Sequence, residues 1–256
     1  MITTKGIVIS SRNVNENDRN VTIITEQLGV IDIFARGAQK MTASSNSSTQ
    51  LFAYSEFCFN ERKGRYFLES AKPVSIFYGI RSDIVKVALA SYFAELVKYA
   101  VMALQPSEET VRLLLNTLHF LSEGTFSCAQ LKSIFELRFV CCVGHTPLLL
   151  GCRECHKYDD DFMFFVYKDG SLLCGGHYYI YYSAVGEEYY PVTARISRTV
   201  LHAMRTICLT DMKRVFSFKI TGDSLDSLGE ITETYLLTQL DHHFKTLDFY
   251  NEVKDT

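Results

Sequence analysis

The chain has 256 residues, 47% of them apolar and 13% aromatic, with a formal net charge of −3. This composition builds real cores and excludes a disordered chain, and the length suits one large domain or two to three small ones. No bilayer-spanning stretch is expected, because the most apolar region, Val85 to Leu104, is interrupted by Lys86, Glu95 and Lys98; the opening "MITTKGIVIS" alternates instead of forming a basic-then-apolar leader. These absences point to the cytoplasm and away from a membrane partner.

Residues 1 to about 77 read as strands. "KGIVIS", "NVTIITE", "VIDIFAR", "LFAYSEFCF" and "RYFLESAKPVSIF" are rich in β-branched and aromatic residues, and turn residues separate them. Five short strands in under 80 residues predict a small closed barrel, since closure removes exposed strand edges. An OB-fold fits, and an SH3-like barrel fits almost as well. The Ser/Thr/Asn run at residues 42–49 reads as a mobile loop.

From Asp83 the period becomes helical. "DIVKVALASYFAELVKYAVMAL" predicts a largely buried helix with an Asp cap; "PSEETVRLLLNTLHFLSEG" predicts a second, capped by Ser107 and ended by Gly124; "SCAQLKSIFELRFVCCVGHTP" predicts a third, stopped by Gly144 and Pro147. After residue 180, "ISRTVLHAMRTICLT" predicts a helix capped by Ser197, and "LGEITETYLLTQLDHHFKTLDFY" a final one, with His242-His243 near a helix end. The fold class expected is α+β: an N-terminal barrel at 1–79, then a helical domain at 80–256 with a ribbon inserted at about 150–182.

A cytosolic chain is an unlikely place for a disulfide framework. Cys58, Cys128, Cys141, Cys142 and Cys208 read as small core residues. Cys152, Cys155, Cys174 and His177 instead form C-x2-C-x18-C-x2-H. A two-residue gap lets one tight turn aim both side chains at a point, and "FMFFVYKDGSLLC", with its Asp169-Gly170 turn, folds the second pair back onto the first. Three thiolates and an imidazole suit zinc, and a filled Cys3His site is structural because no position remains for water. His156 competes as a ligand but breaks the paired-turn symmetry. A redox CxxC lacks the strand–helix setting that thioredoxin-like chemistry needs. Asp159 to Asp161 read as the polar loop entering the hairpin.

Basic residues are unevenly spread: residues 1–72 hold nine Lys/Arg against seven Asp/Glu, and residues 73–256 hold seventeen against twenty-two. Lys5, Arg12, Arg19, Arg36, Lys40, Arg62, Lys63 and Arg65 lie on the barrel's strands and loops, where they can track a phosphate backbone or simply be solvated. Phe34 and Phe59 are candidates for base stacking, although each reads more simply as core. "HYYIYYSAVGEEYY" holds six tyrosines that either cover the hairpin or meet a partner. No catalytic constellation is visible, so neither an enzyme nor a small-molecule substrate is expected.

The order barrel, helices, ribbon, helices resembles the RecO family of DNA repair and recombination proteins. The likeness starts at "KGIVISSRNVNENDRNVTIITEQLGVIDIFARGAQK", continues through "ALASYFAELV" at Ala88 to Val97 and "IFELRFVCCVGHTPLLLGCREC" at Ile134 to Cys155, and ends at "HHFKTLDFY". The resemblance implies an OB-fold that binds single- and double-stranded DNA, strand annealing without ATP, and a mediator role. In that role the protein acts with RecR to load RecA onto DNA coated by single-strand binding protein (SSB). It implies a cytoplasmic, nucleoid-associated protein of bacteria and a helical-domain pocket for the acidic, apolar C-terminal tail of SSB, for which Arg112, Lys132 and Arg138 are candidates. Two departures stand out. His177 stands where the family more often has a fourth cysteine, and "MTASSNSST" follows "FARGAQK" where the family is richer in Arg/Lys. The second departure, with the acidic total charge, keeps open an alternative: a protein-interaction scaffold with little direct DNA binding.

Overall fold

The structure, a computed structural model, describes residues 1–39, 45–185 and 192–255. The chain divides into two compact units, Met1–Thr125 with Phe244–Thr256, and Phe126–His243.

The first unit opens with five strands: β1 (Ile2–Asn13), β2 (Arg19–Thr25), β3 (Gly29–Ala35), β4 (Tyr54–Arg62) and β5 (Arg65–Ser75). They close in the order β1-β2-β3-β5-β4, β1 pairing antiparallel with both β2 and β4. The parallel β3–β5 pairing, Ile33 opposite Tyr66 and Phe34 opposite Phe67, makes this the OB arrangement and sets aside the SH3-like alternative. Alternation decides which residues point inward: along β3, Ile31, Ile33 and Ala35 are buried while Asp32 is exposed. Val8, Val21, Ile23, Phe57 and Phe59 complete the interior, each large side chain contributing about 1.5–3 kcal/mol by leaving water. Gly29 has φ +59°, and a Cβ there would lie 2.2 Å from the Met102 carbonyl oxygen. Only glycine serves both demands.

Residues 45–48 form a short helix, α1 (Ser45–Ser48), instead of the loop expected at 42–49. Ser48 is buried, and Ser55 Oγ donates to its carbonyl at 3.0 Å. Residues 42–44 of that run lie outside the described residues.

Four helices complete the first unit: α2 (Tyr78–Arg81), α3 (Ile84–Ala100), α4 (Glu108–Glu123) and, from the far end of the chain, α9 (Lys245–Val253). Asp83 caps α3 by accepting from the Val85 and Lys86 N–H groups. Ser107 occupies the cap position of α4, but its hydroxyl donates to the Gln105 carbonyl at 3.1 Å, so the expected side-chain cap is not made. Gly124, left-handed at φ +69°, ends that helix. The Glu95 carboxylate accepts from the Thr246 N–H and hydroxyl, fixing the start of α9 against α3.

The second unit contains α5 (Cys128–Cys142), β6 (Leu148–Cys152), β7 (Phe162–Val166), β8 (Ser171–Cys174), α6 (Gly175–Val185), β9 (Thr193–Ser197), α7 (Arg198–Leu209) and α8 (Asp223–Leu240). Its sheet runs β6-β8-β7-β9. The Asp169-Gly170 turn joins β7 to β8 as read from the sequence, with Asp169 Oδ1 accepting from Ser171 N–H at 3.0 Å. The single helix expected across residues 228–250 is two. Asp241 turns left-handed (φ 45°) and its N–H closes on the Leu237 carbonyl, so α8 stops before His242 and His243.

Candidate functional site

Two features of the molecule carry chemistry, one in each unit. In the second unit, β6 ends at Cys152, and the turn that follows brings Cys155 round. His156 N–H donates to the Cys152 carbonyl at 2.8 Å, and Cys152 N–H donates to the Lys157 carbonyl at 2.9 Å. His156 adopts φ 59° to close this knuckle, which leaves its side chain exposed and outside the ligand set. The second pair comes from the end of β8 and the first turn of α6, where Cys174 and His177 face the same point. The ligand atoms of Cys152, Cys155, Cys174 and His177 all lie within 4.8 Å of one another, so the four can hold one metal ion. Cys155 Sγ is 3.8 Å from Cys174 Sγ, and His177 Nδ1 is 3.7 Å from Cys152 Sγ and 3.2 Å from Cys174 Sγ. Burial alone would raise the Cys152 thiol, but backbone N–H groups of Cys155, Cys174 and Glu154 outweigh it and bring its pKa down to about 7. Arg153 braces the knuckle through Asp169 Oδ2 at 2.9 Å and Ser171 Oγ at 3.2 Å.

The acidic run beside the cluster is held by cations: Asp160 meets Lys157 at 3.0 Å, and Asp159 and Asp161 meet Arg198 at 3.3 and 3.4 Å. The tyrosine-rich segment begins α6, where Tyr178 stacks on Phe164 at 3.7 Å between centroids, 6° from parallel. Its residues 186–190 lie outside the described residues.

In the first unit exposed cations stand at the end of β1, after β3 and in the β4–β5 turn. Arg12 closes β1 and lies opposite Asn20 of β2; Arg36 follows β3; Arg62 and Arg65 face each other across the β4–β5 turn, which Lys63 and Gly64 form. All five cationic side chains are exposed. Arg12 thus borders the β1–β2 loop and Arg62 to Arg65 make the β4–β5 loop, the two loops that with the β2–β3 strand face form the oligonucleotide surface of OB-folds. Four carboxylates temper it. Glu69 lies 3.8 Å from Arg62 and accepts from Asn60 at 2.8 Å; Asp18 accepts from Gly37 N–H at 2.8 Å; Glu16 and Glu61 are exposed.

The other barrel candidates behave differently. Lys5 is exposed mid-barrel on β1 opposite Glu56, which in turn faces Lys72, and belongs to neither loop. Arg19 is half-buried, its Nη1 donating to Thr49 Oγ1 at 2.9 Å and to the Asn46 carbonyl at 3.3 Å; burial lowers its pKa. It ties α1 to the barrel. Lys40 lies outside the described residues. Phe59 is fully buried in the barrel core, whereas Phe34 is half-buried on the outer face beside Phe67. Phe67 escaped the sequence reading. The signal for it was the Tyr66-Phe67-Leu68 triplet, whose outer members turn into the core and so send the middle ring outward.

The three candidates for a peptide pocket each have partners of their own. Arg112 is exposed on α4 and paired with Glu108 at 2.9 Å. Lys132 is buried in the second unit between Glu136 and Glu233, each at 2.7 Å. Arg138 is also buried, its Nη1 donating to the carbonyls of Ile207, Cys208 and Thr210 at the end of α7. A buried cation on an apolar helix needs its charge neutralised, and these two find carboxylates and helix-end carbonyls.

A closed OB barrel followed by a helical region bearing a Cys/His cluster that could hold a metal defines a class of modular α+β proteins. Residues 1–77 match the family model Recombination protein O N terminal, and residues 81–248 match Recombination protein O C terminal. The chain is 30% identical to the DNA repair protein RecO of Acetivibrio thermocellus over 96% of this chain and 94% of that protein. It is 28% identical to the DNA repair protein RecO of Caldicellulosiruptor saccharolyticus over 99% of each. The DNA repair protein RecO of an Exiguobacterium species is 30% identical over 82% of this chain and 84% of that protein. The chain belongs to the RecO family of DNA repair proteins. Among the described residues no helix is long and apolar enough to cross a membrane.

Proposed function

We propose that the protein is a non-enzymatic mediator of recombinational repair. The barrel binds single- and double-stranded DNA, anneals complementary strands without ATP, and with RecR helps load RecA onto DNA coated by SSB, whose C-terminal tail the helical region receives. It works in the cytoplasm at the nucleoid. The observation that carries this reading is the placement of exposed Arg12, Arg36, Arg62, Lys63 and Arg65 at the β1–β2 loop, after β3 and in the β4–β5 loop of an OB barrel. Family membership supports the same role.

The metal in this reading is zinc in a structural site. Bonds of about 2.3 Å to sulfur and 2.0–2.1 Å to nitrogen in a tetrahedron separate sulfurs by about 3.8 Å and sulfur from nitrogen by about 3.6 Å. The separations of 3.8 and 3.7 Å match those figures, and the 3.2 Å between Cys174 Sγ and His177 Nδ1 is shorter. Four protein donors leave no place for water, so the ion braces β6 and β8 and takes no part in chemistry.

The test is a mixing assay with two complementary labelled strands, with and without the protein and without nucleotide. Accelerated annealing at low salt is expected. An unchanged rate, together with no binding to either strand, would sink the DNA role and leave the interaction scaffold in its place.

A further inference from the structure

Phe34 and Phe67 sit in a row that crosses the outside of the barrel. The register places Arg12 opposite Asn20, Asn20 opposite Phe34, Phe34 opposite Phe67, and Asn60 opposite Phe67. Paired residues share a face of the sheet, so these five side chains stand together on the outer surface. Their neighbours confirm the direction. Ile33 and Ala35 flank Phe34, Tyr66 and Leu68 flank Phe67, and all four flanking residues belong to or pack on the interior. The two phenylalanines are outside that core and gain nothing from it.

The rings meet edge to face, with centroids 6.1 Å apart at 70°. The Arg62 guanidinium carbon lies 6.0 Å from the Phe67 centroid. Elsewhere in the same row asparagine serves the strands, so the strands do not require large apolar rings here. Two adjacent half-exposed rings, bordered by Arg12, Arg36, Arg62 and Arg65, present π-surface between cations. That is the chemistry a single strand needs: unpaired bases stack on rings while arginines meet the phosphates. A duplex hides its base faces and offers only phosphates and groove edges.

We infer that Phe34 and Phe67 form a base-stacking platform that makes this face of the barrel prefer single-stranded over double-stranded DNA. This rests on the DNA-binding reading above and adds the mode of recognition and the residues that provide it. The platform contributes affinity without counterion release, because rings neutralise no phosphate.

The experiment is fluorescence anisotropy of the full chain with a labelled oligo-dT strand and with a duplex of equal length, each at several salt concentrations. The variant Phe34→Leu/Phe67→Leu keeps apolar bulk on the strands and removes both rings. Its affinity for the single strand is expected to fall about ten-fold or more, from base–ring stacking. Its duplex affinity should stay within about two-fold, and its salt slope should not change. Phe34→Tyr/Phe67→Tyr, which keeps both rings, is expected to bind like wild type. Wild-type binding with an equally tight leucine variant, an equal loss for duplex, or a weakened tyrosine variant would overturn the platform alone. Failure of the wild type to bind either probe would overturn the DNA-binding reading itself.

Discussion

Cys174 Sγ lies 3.2 Å from His177 Nδ1 because β8 runs directly into α6, whose first turn carries the histidine back over the strand end. The second knuckle is thus part strand and part helix, whereas the first, at Cys152 and Cys155, is a turn closed by the left-handed His156. A ligand change at this junction should therefore loosen both the sheet and α6. The wild type is expected to carry one zinc, and Cys174→Ser is expected to lose it and to lower stability by roughly 3–5 kcal/mol, in the range reached when a metal site is lost. Metal analysis alongside thermal melting checks this; a variant with full zinc content would show that the four residues are not the ligand set.

Lys132 offers a pH-dependent prediction. Burial presses its pKa down, but the carboxylates of Glu136 and Glu233 outweigh burial and hold it above the ordinary lysine value. A cation whose folded pKa is raised contributes stability that is present below its unfolded pKa, about 10.4. That contribution is lost as pH climbs through the folded value. The wild type should thus weaken above about pH 10.4 in denaturant titrations. Lys132→Ala should lack that phase and be less stable at neutral pH by about 3–5 kcal/mol, because Glu136 stays buried without its partner cation.

Gly29 tests the barrel. Gly29→Ala must hold φ +59° and place a methyl 2.2 Å from the Met102 carbonyl oxygen. A loss of about 2 kcal/mol or more is expected from combined strain and overlap, read as a lower melting temperature. A neutral outcome would mean that the β2–β3 turn moves freely.

Much of this fold was legible in the chain. Period-two alternation located the barrel strands, since one face of each must be dry. The C-x2-C-x18-C-x2-H spacing brought out the cluster that could hold a metal because short-range geometry alone forces each pair together. What stayed hidden depended on distant partners. Nothing near Lys132 announces Glu233, a hundred and one residues away, and nothing near Arg138 announces the carbonyls ending α7. Arg19 reads as one more surface cation until Thr49 and Asn46 fold over it. The break at Asp241 was invisible for a related reason: the apolar pattern of α8 continues into α9, and only a left-handed residue separates them.

The loop cations can be separated from Lys5, which lies on β1 opposite Glu56. Lys5→Ala is expected to leave single-strand affinity within about two-fold of wild type, a surface change that removes no phosphate contact. A substantial loss in an anisotropy titration would extend the DNA path along β1 toward β4.

The most direct test of the account is the salt dependence of single-stranded DNA binding by the full chain carrying Arg12→Ala, Arg36→Ala, Arg62→Ala and Arg65→Ala together. Each phosphate contact contributes roughly 0.7 to the slope of log affinity against log salt for a single strand. The account predicts a wild-type slope that falls by roughly 2 to 3 in the quadruple variant, with melting temperature preserved. An unchanged slope in a folded variant would contradict it and place the DNA, if any binds, on another surface.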